Sequence, residues 1–323
     1  AEMKALAEAA AKDEADQAIQ EKKVLGHCKI TPLPVVATRP FRSELTVEQN
    51  TIFVSNDYKG GSYTFEREIK HPESGEPVIR RVVVGKENQH GRERGVLKQI
   101  HQHALYNVLE LWGAGDPPHQ FGEINGRSYG IIRASRYQIV TKIRGEQVDS
   151  VEHYHRVQEL LRDLASIPVT LENVYTWQGF HERVTFTLLS EVFWGEKKNS
   201  EANGTILFSP FITEGFLHDN FKILLGASYD SLRAPDKGKR RGAQLEIARL
   251  LYPFLDAQLA KKDQYHSKLD ALAVQFGLRR YQYKSDRRRK FLPAVRALDG
   301  QPIQRERYRL RVTNDGVTPE SRR

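Results

Sequence analysis

The sequence predicts an α+β protein made of two successive units with the same order of elements. The first observation is helical periodicity followed by β-type runs between Gly95 and Phe208. The second is a return of that order, a long helix, two shorter helices and a strand, between Leu245 and Val312. The third is the polar linker between them, which contains Pro235. The copies lie roughly 130 residues apart and share a pattern without residue-by-residue identity.

The first unit opens with a predicted helix and a predicted hairpin. Apolar residues recur at steps of three and four over Leu97–Leu111, and Gly113 ends this pattern. Asn125-Gly126 then stands between two β-type runs, which is a strong signal for a two-residue hairpin turn. A second hairpin is predicted upstream, at 62–69 and 78–84.

Two more helices follow in the first unit. Ser135 is a predicted N-cap of the second helix, which ends at Gly145, and Ser150 is a predicted N-cap of the third, which ends before Pro168. Leu217–Leu225 is predicted to form one further amphipathic segment. Runs of β-type residues lie between these helices at 169–174, 183–189 and 204–208.

The second unit repeats this order with shorter elements. Leu245–Leu259 predicts a long helix. Ser267 is a predicted N-cap of a short helix that stops at Gly277, and Ser285 is a predicted N-cap of a third helix that stops at Gly300. An alternating strand over 308–312 then follows.

Three helices followed by a β-ribbon are typical of the winged helix, a helix-turn-helix variant with a β-wing. We therefore predict two tandem winged-helix domains with an N-terminal helix and β-hairpin extension. The predicted boundaries are 1–61 for an N-terminal helix and proline-containing linker, 62–228 for the first winged-helix domain with its preceding β-hairpin, 229–242 for a basic linker, and 243–323 for the second winged-helix domain.

Composition narrows the class of protein. Apolar residues make up 39% and charged residues 28% of the 323 residues, a balance that can fill hydrophobic cores. Cys28 is the single cysteine, which excludes an internal disulfide framework and a multi-cysteine zinc site. No stretch approaches the ~20 apolar residues that a membrane helix needs. We expect a soluble, cytoplasmic protein that does not insert into membranes.

Positive charge is concentrated at the end of the chain. The protein has 50 Lys and Arg against 41 Asp and Glu, a net charge of +9. Arg279–Arg323 holds 14 of the cations and 5 of the acids, which leaves 36 of each sign in the rest. A terminal segment that carries the whole surplus indicates a polyanionic partner, with nucleic acid as the first candidate and a solvated basic tail as the alternative.

The sequence lacks the motifs of an ATPase or a serine hydrolase, since neither GxxxxGK[ST] nor GxSxG occurs. Two His-x-His triplets do occur, at His101–His103 and His153–His155. A rolling-circle nicking enzyme would hold a metal on such a pair, but the pair has to lie on a strand, where alternate residues share a face. Both triplets fall on predicted helices. We therefore expect no enzyme activity, no cofactor and no metal.

The third helix of each unit is the candidate reading helix, because that helix enters the major groove in helix-turn-helix proteins. The second one opens with four consecutive cations and becomes apolar only at Phe291. Cations at a helix N-terminus oppose the helix dipole by about 0.3–1 kcal/mol each, and DNA phosphates would offset that cost. The predicted contacts on the two helices are Ser150, His153, Arg156, Gln158 and Arg162, and Ser285, Arg287, Arg288, Arg289 and Lys290.

Basic residues outside the helices complete the predicted interface. Arginines alternate along the last predicted strand, so they share one face and would repel each other unless a polyanion lay across them. Further candidates lie at the tip of the first wing and in the linker. These residues are Arg305, Arg307, Arg309 and Arg311, then Lys197 and Lys198, and Lys239, Arg240 and Arg241.

Three strings carry a resemblance to a known family. GRERGVLKQIHQHALYNVLELWG, RSYGIIRASRYQIVTKIRG and YHRVQELLRDLASIPVTLENVYTWQG resemble plasmid-type, iteron-binding replication initiator proteins, and the likeness extends over about residues 62–312. The resemblance implies tandem winged-helix domains that bind repeated sites in double-stranded DNA and read successive major grooves with the segments 150–166 and 285–298. It also implies a homodimer through the first domain, a DNA-bound monomer, and recruitment of a host initiator and helicase.

The sequence therefore predicts a sequence-specific DNA-binding protein that initiates replication. A transcriptional repressor with the same fold shares the binding step and stays open as an alternative. A rolling-circle nicking endonuclease, using a His-x-His pair and a tyrosine, is the alternative from a different class. A scaffold whose basic tail binds RNA or membrane would show no preference for sequence.

Overall fold

The computed structural model describes residues 25–32, 40–85, 95–115, 118–144, 150–194, 204–225, 229, 232, 242–259, 264–278, 283–303 and 308–313. Within these ranges the chain is a mixed α and β protein, and every strand pair is antiparallel. The helices are α1 (Leu45–Gln49), α2 (Gln99–Gly113), α3 (Arg136–Arg144), α4 (Val151–Ser166), α5 (Pro210–Leu217), α6 (Gly242–Gln258), α7 (Leu269–Gln275) and α8 (Lys284–Arg296).

The strands form three four-stranded sheets and one two-stranded sheet in the described part of the chain. The strands are β1 (Leu25–Pro32), β2 (Pro40–Glu44), β3 (Tyr63–Lys70), β4 (Pro77–Val84), β5 (Phe121–Ile124), β6 (Arg127–Ala134), β7 (Val169–Thr176), β8 (Gly179–Phe186), β9 (Leu189–Trp194), β10 (Gly204–Phe208), β11 (Phe221–Leu225), β12 (Gln264–Lys268), β13 (Pro302–Ile303) and β14 (Tyr308–Thr313). The first unit holds the sheet β5-β6-β10-β9, the second holds β12-β1-β14-β13, and β3-β4-β7-β8 forms a separate sheet, here called the accessory sheet.

The helices and the hairpin predicted for the first unit are present. Asn125 and Gly126 have φ values of 52° and 72°, as a two-residue hairpin turn with two positive φ angles requires, and they join β5 to β6. Ser135 and Gln138 form a reciprocal cap at the start of α3, because each side chain accepts a hydrogen bond from the other's backbone N–H. Ser150 occupies the N-cap position of α4 but makes no capping hydrogen bond with its side chain.

The strands that follow α4 differ from the prediction. The β-runs after α4 were expected to form one wing, but β7 and β8 pair with β4 in the accessory sheet. The ribbon β9–β10 closes the first unit instead, and β10 pairs with both β6 and β9. Two ion pairs join neighbouring strands of the accessory sheet. Arg81 Nε lies 2.6 Å from Glu66 Oε1 on β3, and Arg81 Nη1 lies 3.2 Å from Glu172 Oε2 on β7.

The amphipathic segment predicted over Leu217–Leu225 is mostly a strand. Helix α5 ends at Leu217, a turn follows, and Phe221–Leu225 forms β11, which pairs with β2. The helix starts earlier because Ser209 caps it, accepting a hydrogen bond from Ile212 N–H, and Pro210 stands at its first position.

The second unit repeats the order of the first, with two shifted helix starts. Ser267 lies in β12 and α7 begins only after Lys268, so Ser267 is not the N-cap. Tyr283 is the N-cap of α8 and Ser285 lies inside the first turn, so the predicted cap at Ser285 is also wrong. A strand separates α6 from α7, which places β12 where β6 stands in the first unit.

An N-terminal strand completes the sheet of the second unit. β1 lies between β12 and β14, pairing Cys28 with both Tyr265 and Val312. Residues 1–61 were predicted to hold an N-terminal helix and a proline-containing linker, and in that range β1 and β2 enter ladders. The part before Leu25, where the predicted helix falls, lies outside the described residues.

Residues 45–63, here called the junction segment, pack between the two units. Ile52 and Val54 are fully buried, and Val54 exchanges backbone hydrogen bonds of 2.9 Å with Leu97 and Gln99 of the first unit. On the other side, Ser55 N–H donates to the Phe276 carbonyl of the second unit at 3.0 Å. Buried apolar residues of both units form one continuous core around this segment.

Polar contacts complete the packing of the junction segment. Tyr106 donates a hydrogen bond of 2.7 Å to the buried Glu48 carboxylate, and burial together with that carboxylate raises the pKa of Tyr106. Glu246 of α6 accepts a 2.8 Å hydrogen bond from Asn56 N–H, and burial raises the pKa of Glu246. Tyr63 donates to the Gln275 carbonyl. The junction segment therefore holds both units in one fixed arrangement.

Gly277 gives a direct test of this packing. Its φ is 81°, and a Cβ atom there would lie 2.9 Å from Cβ of Val54. Gly277→Ala is expected to lower the free energy of unfolding by about 2–4 kcal/mol, from left-handed strain and the contact with Val54. Gly300→Ala is the matched control, because Gly300 has a φ of 80° and a Cβ atom there would meet nothing within 4 Å. Equal losses in urea unfolding for the two variants would contradict close packing at the junction.

Candidate nucleic-acid interface

One face of α4 is open to solvent and carries charges of both signs. Its buried residues are Val157, Leu161 and Leu164, which pack inward. The exposed stripe of α4 is defined by residues at helical spacing on the other side, Glu152, His155, Arg156, Glu159 and Arg162. The predicted contacts Arg156 and Arg162 lie on this stripe, whereas Gln158 is half-buried beside it.

Aromatic contacts fix the position of α4. The Arg136 guanidinium carbon lies 5.7 Å from the ring centre of Tyr154 on α4 and 5.4 Å from that of Trp194 on β9. One cation thus joins the start of α3 to α4 and to β9. Arg136 was not among the predicted site residues, because nothing in its local pattern distinguishes it from neighbouring surface arginines.

His153, a predicted DNA contact, faces the preceding helix. Its Nε2 accepts a 3.3 Å hydrogen bond from Arg144, the last residue of α3. Its Nδ1 is buried and has no hydrogen-bond partner among the described residues. This half-buried ring helps to pack α3 against α4, while His155 lies on the exposed stripe.

Two of the four consecutive cations of α8 form ion pairs with acids outside that helix. Arg287 lies 3.4 Å from Asp270 of α7, and Lys290 lies 2.7 Å from Asp57 of the junction segment. These acids offset part of the unfavourable interaction between the cations and the helix dipole, which the sequence alone assigned to DNA phosphates. The Lys290 pair also ties α8 to the junction segment.

Arg289 remains directed to solvent. Its side chain is 81% exposed, with Asp286 one turn earlier at 3.2 Å. Ser285 is also exposed, whereas Arg288 is described only as part of the α8 backbone. Arg289 and Ser285 are therefore the described α8 candidates with accessible side chains.

Both candidate reading helices begin with an exposed apolar side chain. Val151, the first residue of α4, is 71% exposed, and Tyr283, the N-cap of α8, is 64% exposed. Apolar groups at the front of a reading helix can contact thymine methyl groups in the major groove.

Arg309 and Arg311 lie two positions apart on β14, as the alternating pattern predicts. Their backbone partners on β1 are Thr31 and Lys29. The other basic residues predicted for the wings and the linker lie outside the described residues, namely Lys197, Lys198, Lys239, Arg240, Arg241, Arg305 and Arg307.

Both His-x-His triplets lie on helices, as predicted. His101 uses both ring nitrogens, accepting from Lys98 N–H at 2.9 Å and facing Asp163 at 3.1 Å. His103 bonds the Ile143 carbonyl at 2.8 Å. Across the described ranges, no three histidine, cysteine or acidic side chains come together as a metal site would require. In the same ranges, no helix has the length and apolar character needed to cross a bilayer.

The similarity of this chain to known proteins lies in its structure. No protein-family model matches the sequence, and no curated protein matches it. Two crystal structures of domains 2 and 3 of RctB resemble it. One has 10% identity and a TM-score of 0.44, covering 84% of this chain and 98% of that chain. The other has 11% identity and a TM-score of 0.42, covering 81% and 85%. Function is therefore inferred from the chain's own residues.

The contacts of Arg136 predict a measurable contribution to stability. Arg136→Gln is expected to lower the free energy of unfolding by about 0.5–2 kcal/mol, because the cation leaves two aromatic rings. Arg133→Gln on β6, where the arginine is exposed, is the matched control and should change stability by less than about 0.5 kcal/mol. Urea unfolding measures both values, and an unchanged midpoint for Arg136→Gln would remove it from the support of α4.

Proposed function

We propose that the two units are winged-helix domains that bind one double-stranded DNA site together, with α4 and α8 as reading helices. The repeated element order supports this proposal most directly. In the first unit α2 precedes the hairpin β5–β6, α3 and α4 follow, and β10 lies next to β6. In the second unit α6 precedes β12, α7 and α8 follow, and β14 lies one strand away from β12. Both third helices expose side chains at their N-terminal turns, the part that reaches base edges in helix-turn-helix proteins.

The two helices suit different parts of DNA recognition. The exposed stripe of α4 combines two glutamates with two arginines, so its charges balance and favour hydrogen bonds to bases over phosphate attraction. Arginine can bind guanine, and glutamate can accept a hydrogen bond from cytosine. The second unit carries the surplus of positive charge, which favours contacts to phosphates. We infer that the first unit selects the sequence and the second contributes much of the affinity.

We further propose that this DNA binding serves initiation of replication at repeated origin sites, without catalysis by this chain. The resemblance of residues 62–312 to iteron-binding initiators supports the role. The protein bound at its DNA site would recruit a host initiator and helicase. A fixed junction between the units suits this role, because two helices at a constant separation can read a site of constant spacing.

The first experiment is a protection footprint with the full chain on DNA that flanks the encoding gene. We expect protected, repeated sites whose affinity exceeds that for random DNA by at least about 10³-fold. Binding of equal strength to every sequence, to RNA and to anionic vesicles would instead support a general polyanion scaffold. A covalent protein–DNA adduct on single-stranded origin DNA with Mg²⁺ would support a nicking enzyme.

Arg289→Ala tests the role of α8 in affinity. It is expected to weaken binding to all DNA sequences and to reduce the slope of log K against log salt by about one, since one phosphate contact is lost. The control is Arg183→Ala. Arg183 is exposed on β8 and lies opposite Glu172 of β7 in the strand register of the accessory sheet. An unchanged slope for Arg289→Ala would place this residue outside the interface.

Arg156→Ala tests the role of α4 in sequence selection. The expected result is a loss of preference equal to about 1–3 kcal/mol at one base pair, with little change in affinity for random DNA. Competition binding with single-base variants of the protected site measures that preference. A uniform loss of affinity on all sequences would assign Arg156 to a phosphate.

A further inference from the structure

Two arginines face each other across strands β3 and β4. Arg67 and Arg80 are direct partners in the antiparallel register. Side chains at such positions lie with their Cβ atoms about 4.5–5.5 Å apart, and like charges directly opposite each other destabilise a sheet. The register therefore brings two guanidinium groups together where a sheet would normally avoid them.

The pair lies on the face of the accessory sheet that packs against the core. Alternation along β3 puts Arg67 on the same face as Tyr63 and Phe65, which pack in or against the core. Alternation along β4 puts Arg80 on the same face as Val82, which is buried. Both arginines are half-buried.

No acidic partner balances this charge among the described residues. The structure shows no ion pair between either guanidinium and a carboxylate of the described chain. The one hydrogen bond shown for the pair runs from Arg80 Nε to the Asn173 carbonyl at 3.2 Å. By contrast, Arg81 on the opposite face of the same strand has two glutamates. Among the described residues, Arg81 thus has two acidic partners, whereas Arg67 and Arg80 have none.

A built backbone feature supports the pair. Asn173 has a φ of 52°, in the left-handed region, and the ladder between β4 and β7 stops just before it. Its side chain donates a 2.7 Å hydrogen bond to the Ile79 carbonyl, and this holds the kink that turns its own carbonyl to Arg80. Asparagine adopts this region more readily than most other residues, so the kink is compatible with a stable strand.

The electrostatics agree with this geometry. Burial lowers the pKa of Arg80 to about 10, and the neighbouring charge of Arg67 acts in the same direction. Burial also lowers the pKa of Arg67, with Tyr265 of β12 opposing that change. A bound anion would oppose both decreases, because a nearby negative charge favours the charged form of each guanidinium.

We propose that Arg67 and Arg80 form a binding site for an oxyanion of the phosphate class. Two guanidiniums present several N–H donors in planar forks, a geometry suited to phosphate oxygens. The phosphate can come from the DNA backbone, which rests on the proposed function, or from free phosphate.

The first arm measures the thermal midpoint of the full chain in phosphate and in chloride at equal pH and ionic strength. Phosphate at ten times its Kd should raise the midpoint of the natural protein by roughly 2–4 °C. Arg67→Gln should unfold at a higher midpoint in chloride, because the repulsion is gone, and should lose this response. Arg183→Gln, on the opposite face of the sheet, should keep the response and reports the general effect of phosphate on folding.

Arg67→Lys keeps the charge and removes the planar fork. Its midpoint in chloride should match the natural protein, and its response to phosphate should fall at least several-fold in apparent affinity. The proposal is overturned if Arg67→Gln lowers the midpoint in chloride and responds to phosphate as Arg183→Gln does. Arg67 would then only support the sheet.

The second arm identifies the source of the phosphate. If it is the DNA backbone, Arg67→Gln should reduce the salt slope of DNA binding by about one, as loss of a single phosphate contact does. A lost phosphate response with an unchanged slope supports the site with free phosphate as its ligand. If the natural protein shows the phosphate response but binds no DNA, the proposed function fails and the anion site stands.

Discussion

The burial of the junction segment between the two units is the constraint on which the structure depends. Its residues belong to neither repeat, yet they fill the core that both units share and carry backbone hydrogen bonds to each. Most interfaces between domains of one chain are polar and permit relative motion. This one is continuous with the hydrophobic core, so the separation of α4 and α8 is set by packing and does not depend on a bound ligand.

The two units differ in the charge that they present to solvent. In the first unit, Arg136 contacts the rings of Tyr154 on α4 and Trp194 on β9, and the exposed stripe of α4 carries balanced charges. In the second unit, acids from α7 and the junction segment hold Arg287 and Lys290, so structure takes up part of its positive charge. Arginine count alone therefore overstates the number of cations that a DNA duplex could meet.

Local signals carried the sequence prediction a long way. Asn125-Gly126, the periodicity of α2 and the Ser135 cap depend on neighbours within a few residues, and each is present in the structure. Features set by distant pairing were missed, such as β7 joining β4 in place of a wing. The same reason explains the candidate site. Exposed Arg156 and Arg289 could be named from helical spacing, whereas the Arg67–Arg80 pair becomes visible only through cross-strand register.

The position of β1 has a consequence for how the protein is made. Roughly 240 residues separate Leu25 from its ladder partner Lys268. At about 5–20 residues per second, a ribosome needs roughly 12–50 s to supply that partner after β1 has been synthesised. During this interval the nascent chain exposes a strand with two open edges, a template for pairing with other chains. Slow synthesis or crowded polysomes would therefore favour exchange of β1 between neighbouring nascent chains.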